Sequence, residues 1–65
     1  MRLKEIRESR GLSQAELAKL SDVKLRNIQA YEQGYKDINK AEVLRVYQLA
    51  KALKCRIEDL IEIAH

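Results

Sequence analysis

Between Leu12 and Gly34 the chain spells two short helices joined by a corner with room only for a tight turn. Leu12-Ser13-Gln14-Ala15-Glu16-Leu17-Ala18 carries the start signal. Ser13 and Glu16 form a capping box, in which the serine hydroxyl accepts from the Glu16 amide and the carboxylate reaches back. Leu17, Ala18 and Leu20 extend that helix to about Ser21. The next helix runs from about Lys24 and stops at Gly34, with Ile28 and Tyr31, three apart, pointing to one side. Two helices this short cannot bury their apolar sides alone, so the rest of the chain must cover them.

Apolar residues recur at helical spacing elsewhere too, and nowhere do β-branched residues alternate as a strand requires. Leu3 and Ile6 mark a first helix, about 1–9, ended by Gly11. A loop over 35–38 precedes Asn39-Lys40-Ala41-Glu42, which reads as a second capping box. It predicts a helix over about 40–53 with Val43, Val46, Tyr47, Ala50 and Leu53 as its buried stripe. A last helix, about 57–63, would pack Ile57, Leu60 and Ile61. The prediction is an all-α fold, one domain over 1–65, with helices at about 1–9, 13–21, 24–33, 40–53 and 57–63. A chain of 65 residues buries only about 60% of its unfolded surface, so stability must come from helix packing.

Charge and cysteine usage narrow the function classes. The formal net charge is +3. Residues 1–54 hold twelve Lys/Arg against seven Asp/Glu, whereas residues 55–65 set Arg56 against Glu58, Asp59 and Glu62. A basic body with an acidic end suits a polyanionic partner. Cys55, without a second cysteine, fits a reducing compartment as a small apolar filler. No stretch approaches the ~20 apolar residues of a membrane span, and the N-terminus lacks a signal-peptide core. A soluble, cytoplasmic protein without membrane contact is therefore expected. Ser9, Ser13 and Ser21 have no base at a useful spacing, and His65 has no companion for a metal site. Neither catalysis, cofactor nor small-molecule ligand is expected.

Two short helices with a polar outer face on the second match the plan in which that helix enters the DNA major groove. The fuller pattern is Leu12-Ser13-Gln14-Ala15-Glu16-Leu17-Ala18, Val23, Ile28, Tyr31-Glu32-Gln33-Gly34, Leu49-Ala50-Lys51-Ala52-Leu53 and Ile57-Glu58-Asp59-Leu60. It resembles the XRE family, the Cro/CI-type helix-turn-helix group of bacterial and phage repressors, over about residues 3–62. The stretch Asp37-Ile38-Asn39-Lys40-Ala41 also resembles a longer loop found in members of this family. The resemblance implies a compact five-helix lambda-repressor-like domain that binds double-stranded DNA. It also implies a sequence-specific transcriptional regulator, expected to be a repressor, bacterial or phage-encoded and associated with the nucleoid.

With Ile28 and Tyr31 turned inward, helix 24–33 presents Lys24, Leu25, Arg26, Asn27 and Gln29 as candidate base readers. Arginine pairs with guanine and Asn or Gln with adenine through two hydrogen bonds each, and an apolar side chain can meet the thymine methyl. Gln14 matches the family glutamine that clamps a backbone phosphate and buttresses the recognition helix. Lys36, Asn39 and Lys40 fall where the family brings a loop and a helix N-terminus against the phosphates, and Asn39 also reads as a cap. The chain departs from the family pattern at five positions. Asp22 stands where a turn glycine is common, Lys24 and Arg56 replace Ser/Thr caps, and Leu25 and Ala30 replace polar base readers.

A single module of this size binds weakly, so a homodimer on two half-sites about 34 Å apart is expected. Its interface is expected at Ile57, Leu60, Ile61 and Ile63, with Ile63 separating an interface from a monomer core. Tyr31 and Tyr47 read as core, and Tyr35 as a loop residue. A second reading stays open: a protein-interaction module of the same fold that binds a regulator or antitoxin instead of DNA, with Leu25 and Ala30 beginning an apolar contact patch.

Overall fold

A computed structural model describes residues 2–61, and these form only helices and their connections. In order they are α1 (Arg2–Ser9), α2 (Gln14–Ser21), α3 (Leu25–Gln33), a 3-10 turn (Ile38–Lys40), α4 (Val43–Leu53) and α5 (Ile57–Leu60). α2 packs on both α3 and α4, and α5 closes the far side against α1 and α4. Leu3, Leu17, Ile28, Tyr31, Leu49 and Leu53 are the largest fully buried side chains. They come from four helices and meet in one core.

The expected boundaries hold for the first three helices, for local reasons. At α2 the Ser13 hydroxyl accepts from the Glu16 amide at 3.0 Å, and the Glu16 carboxylate accepts from the Ser13 amide at 2.9 Å. α3 ends as its glycine predicts. Gly34 takes φ +84°, letting the Tyr35 amide reach back to the Ala30 carbonyl at 2.8 Å. Asp22 takes the left-handed conformation between α2 and α3, with φ 59°.

The stretch before α4 corrects the expected second capping box. The Asp37 carboxylate accepts from the Asn39 amide at 2.9 Å, which draws Ile38–Lys40 into a 3-10 turn and makes Asp37 the cap. α4 then starts at Val43, and Glu42 before it makes no side-chain cap. The stripe changes with it: Val46, Leu49, Ala50 and Leu53 are buried, while Val43 is 77% and Tyr47 49% exposed. Tyr47 projects about 100° round the helix from Val46, and Ile38 supplies the buried apolar group ahead of α4. Tyr31 is core as expected, and Tyr35 is exposed.

Two ends are built without the usual residues. α4 finishes on Lys54 at φ 55°, with the Cys55 amide bonded to the Ala50 carbonyl at 3.0 Å. This is the wrap Gly34 makes after α3, performed by a lysine. Arg56, where a cap hydroxyl is missing, donates its backbone amide to the Asp59 carboxylate at 2.9 Å, so one half of a capping box survives. Helix five is shorter than expected over the described residues, since Ile61 is already extended. Its expected continuation to 63 lies outside them.

Candidate nucleic-acid interface

α3 is held by a charged clamp on one side and the core on the other. Ile28 and Tyr31 are buried. On the flank of α3, Glu32 accepts from Arg7 Nε at 2.8 Å, from Arg7 Nη2 at 3.0 Å and from Gln14 Nε2 at 3.0 Å. Arg7 spends its remaining reach on the Leu12 carbonyl at 2.7 Å. The side chains of Arg7 and Glu32 are only 10% and 3% exposed. Burial pushes the Glu32 carboxyl up, but the hydrogen bonds from Arg7 and Gln14 and the charges of Arg7 and Lys4 outweigh it and hold it below the usual carboxylate range. One carboxylate on α3 is thus tied to α1 and to the first turn of α2. This fixes the angle between the two helices of the motif.

With α3 so fixed, its polar residues divide by phase. Successive residues turn about 100°, so Asn27 and Gln29 leave Ile28 on opposite sides and Arg26 points outward. Lys24, Arg26, Asn27 and Ala30 line an open cleft together with Lys36 from the following loop and Arg45 from α4. Lys36 Nζ donates to Asn27 Oδ1 at 2.8 Å. Arg45 Nη1 donates to the Tyr31 hydroxyl at 3.2 Å, which holds the guanidinium over α3. The cleft brings four cationic side chains and one amide together, and no carboxylate lines it. Such a surface takes up anions and hydrogen-bond acceptors.

The other sequence candidates lie around this cleft. Leu25 and Gln29 are exposed on α3 but do not line it. Gln14 is bonded to Glu32 at the start of α2. Asn39 and Lys40 are exposed in the 3-10 turn. Sequence reading missed Arg45, Arg7 and Glu32. A signal for Arg45 existed, since a stripe through Val46 and Leu49 turns it toward α3, but the stripe through Tyr47 obscured it.

Of the expected contact residues for a second subunit, Leu60 is 2% exposed and belongs to the protomer's own core. Ile57 and Ile61 are half-buried against that core, and Ile63 lies outside the described residues. Larger exposed apolar groups sit elsewhere: Leu20 at the end of α2 faces Leu44 and Tyr47 of α4 across a shallow groove. No described helix is long and apolar enough to cross a membrane.

A family model described as helix-turn-helix matches residues 3–60. No curated protein and no solved structure matches the chain significantly.

Proposed function

This chain belongs to the XRE-type helix-turn-helix family of DNA-binding regulators, and from that premise we propose that it is a sequence-specific repressor. α3 enters the major groove with Lys24, Leu25, Arg26, Asn27 and Gln29 toward the bases. Gln14, Asn39 and Lys40 lie against the phosphates on either side, and Lys36 reaches the groove beside α3. Two protomers bind two half-sites and exclude other proteins from the DNA they cover. The observation that carries this reading is the carboxylate-free cleft along α3, where Lys24, Arg26, Lys36 and Arg45 converge.

The test is a titration against random-sequence duplex DNA at several salt concentrations, with the solution mass of the protein measured alongside. Each neutralised phosphate contributes about −0.9 to the slope of log K against log salt. On random DNA, where the cleft cations Lys24, Arg26, Lys36 and Arg45 meet no matched bases and sit against phosphates together with Lys40, a slope near −4 to −5 is expected. The alternative, a module that binds a regulatory protein, draws support from the exposed groove between Leu20, Leu44 and Tyr47. A folded protein that leaves random DNA unbound at low salt would decide for that alternative.

A further inference from the structure

The bond between Lys36 and Asn27 does more than tie a loop to α3. An ammonium has only hydrogens to offer, so the amide atom it meets at 2.8 Å must be the oxygen. Asn27 is thereby oriented, its accepting end occupied by a cation from outside the helix and its Nδ2 hydrogens left for a ligand. The surroundings add no acceptor. Lys24, Arg26 and Arg45 line the same cleft, Ala30 is its apolar wall, and the Tyr31 hydroxyl is engaged by Arg45.

An asparagine with a free amide suits adenine, because its oxygen accepts from the N6 amino group while its nitrogen donates to N7. Asn27 lacks the accepting half. Its oxygen keeps a second lone pair, but an amino group approaching it meets the positive charge of Lys36. Guanine offers two acceptors, O6 and N7, to a surface made of donors; thymine offers one, O4. Adenine and cytosine bring amino groups, which leave N–H groups facing N–H groups and unpaired once water is excluded.

We propose that the Lys36–Asn27 bond sets base preference: it converts an asparagine of the recognition helix from a reader of adenine into a donor-only reader of guanine. The inference rests on the DNA-binding reading above and deepens it to a ranking at one base pair. Guanine comes first, thymine second, and adenine and cytosine are rejected.

The experiment is selection of bound sequences from a random duplex library, with the wild type, Asn27→Ala and Lys36→Met. Circular dichroism checks that each remains folded. Asn27→Ala identifies the base pair concerned by relaxing preference there. The wild type is expected to select guanine at that pair, and replacing it with 7-deazaguanine, which lacks the N7 acceptor, should weaken binding about tenfold. Lys36→Met keeps an unbranched stem of four heavy atoms but removes the ammonium donor. It should shift the preference at that pair from guanine to adenine and leave the rest of the selected sequence unchanged. Adenine selected by the wild type would overturn the proposal. So would Lys36→Met weakening all sequences equally, which is the behaviour of a phosphate contact, or Asn27→Ala relaxing no position. DNA recovered without an enriched motif would overturn the proposal too, whereas a library from which the folded wild type recovers no DNA at low salt is a separate outcome, and it overturns the DNA-binding reading itself.

Discussion

Glu32→Gln tests whether the clamp behind α3 holds the fold together. The substitution keeps the shape of the side chain but removes its charge and exchanges one acceptor oxygen for a donor. In the native arrangement the two oxygens accept three bonds at 2.8–3.0 Å, from Arg7 Nε, Arg7 Nη2 and Gln14. After it, one N–H faces another, and Arg7, whose side chain is 10% exposed, has lost its counter-charge. Breaking one side of a buried pair costs about 3–5 kcal/mol. A domain of 65 residues has about 3–10 kcal/mol in total, so the loss takes a third or more of its stability. At this size each kcal/mol moves Tm by about 4–8 °C, so the expected fall is about 12–40 °C, read by thermal and urea unfolding followed by circular dichroism at pH 7. The double variant Arg7→Met with Glu32→Leu supplies the contrast. With both charges gone and the space filled, it should unfold close to the wild type, because an apolar pair of similar volume replaces an ion pair nearly neutrally. A Glu32→Gln cost below about 1 kcal/mol is the behaviour of an exposed pair and would refute the argument. A double variant no better than the single would refute it equally.

Other outcomes follow from the same structure. Because the Glu32 carboxyl is held low in the folded chain, its contribution is complete above the unfolded value near 4.3 and fades as pH falls through the lower folded value. Urea midpoints measured from pH 6 to pH 3 should drop in that window for the wild type and less steeply for Glu32→Gln. Lys54 sits at φ 55°, so Lys54→Gly should stabilise by about 1 kcal/mol, whereas Gly34→Ala at φ +84° should destabilise by a similar amount. Thermal unfolding of the two variants reads opposite signs if the left-handed ends are strained for side chains, and equal signs if they are not. Burial pushes the Cys55 thiol up, Asp59 adds to this, and Arg10 opposes it in part. A thiol-specific disulfide reagent at pH 8 should therefore react more slowly with the native chain than with the urea-unfolded one; equal rates would mean an open thiol.

Helices whose ends are decided by adjacent residues were readable from the sequence, and those decided by competition were not. Ser13 and Glu16 have no rival for the start of α2, and Gly34 has none for the end of α3. Ahead of α4 two local solutions compete, since Asn39-x-x-Glu42 has the spacing of a capping box while Asp37 can close a turn on the Asn39 amide. The pattern alone does not rank them, and the turn forms. The stripe on α4 fails for a related reason. Val43-Val46-Tyr47-Ala50 and Val46-Leu49-Ala50-Leu53 have the same i, i+3, i+4, i+7 spacing, and only packing against α2 and α5 selects the second. Lys54 was missed because the left-handed helix end is a glycine signal, and here no glycine stands.

For the site, sequence gave the phase of α3 and little of its company. Ile28 and Tyr31 fix which way the helix turns, and from them the outward positions of Lys24, Arg26 and Asn27 follow. What those side chains present to a ligand depends on partners well along the chain. Lys36 is nine residues beyond Asn27 and occupies its oxygen. Arg45, fourteen beyond Tyr31, takes up the tyrosine hydroxyl and brings a further cation to the cleft. The oxygen of Asn27 is therefore taken up by a loop lysine, which no reading of α3 by itself can reach. On the proposed reading, the two apolar residues of α3, Leu25 and Ala30, fit the same logic. If α3 makes the proposed base contacts, its two apolar residues leave fewer of them, and substitutions at Lys36 or Arg45 should change sequence preference as readily as substitutions on the helix. Selected motifs that change only for α3 variants, and never for these two, would return specificity to the helix alone.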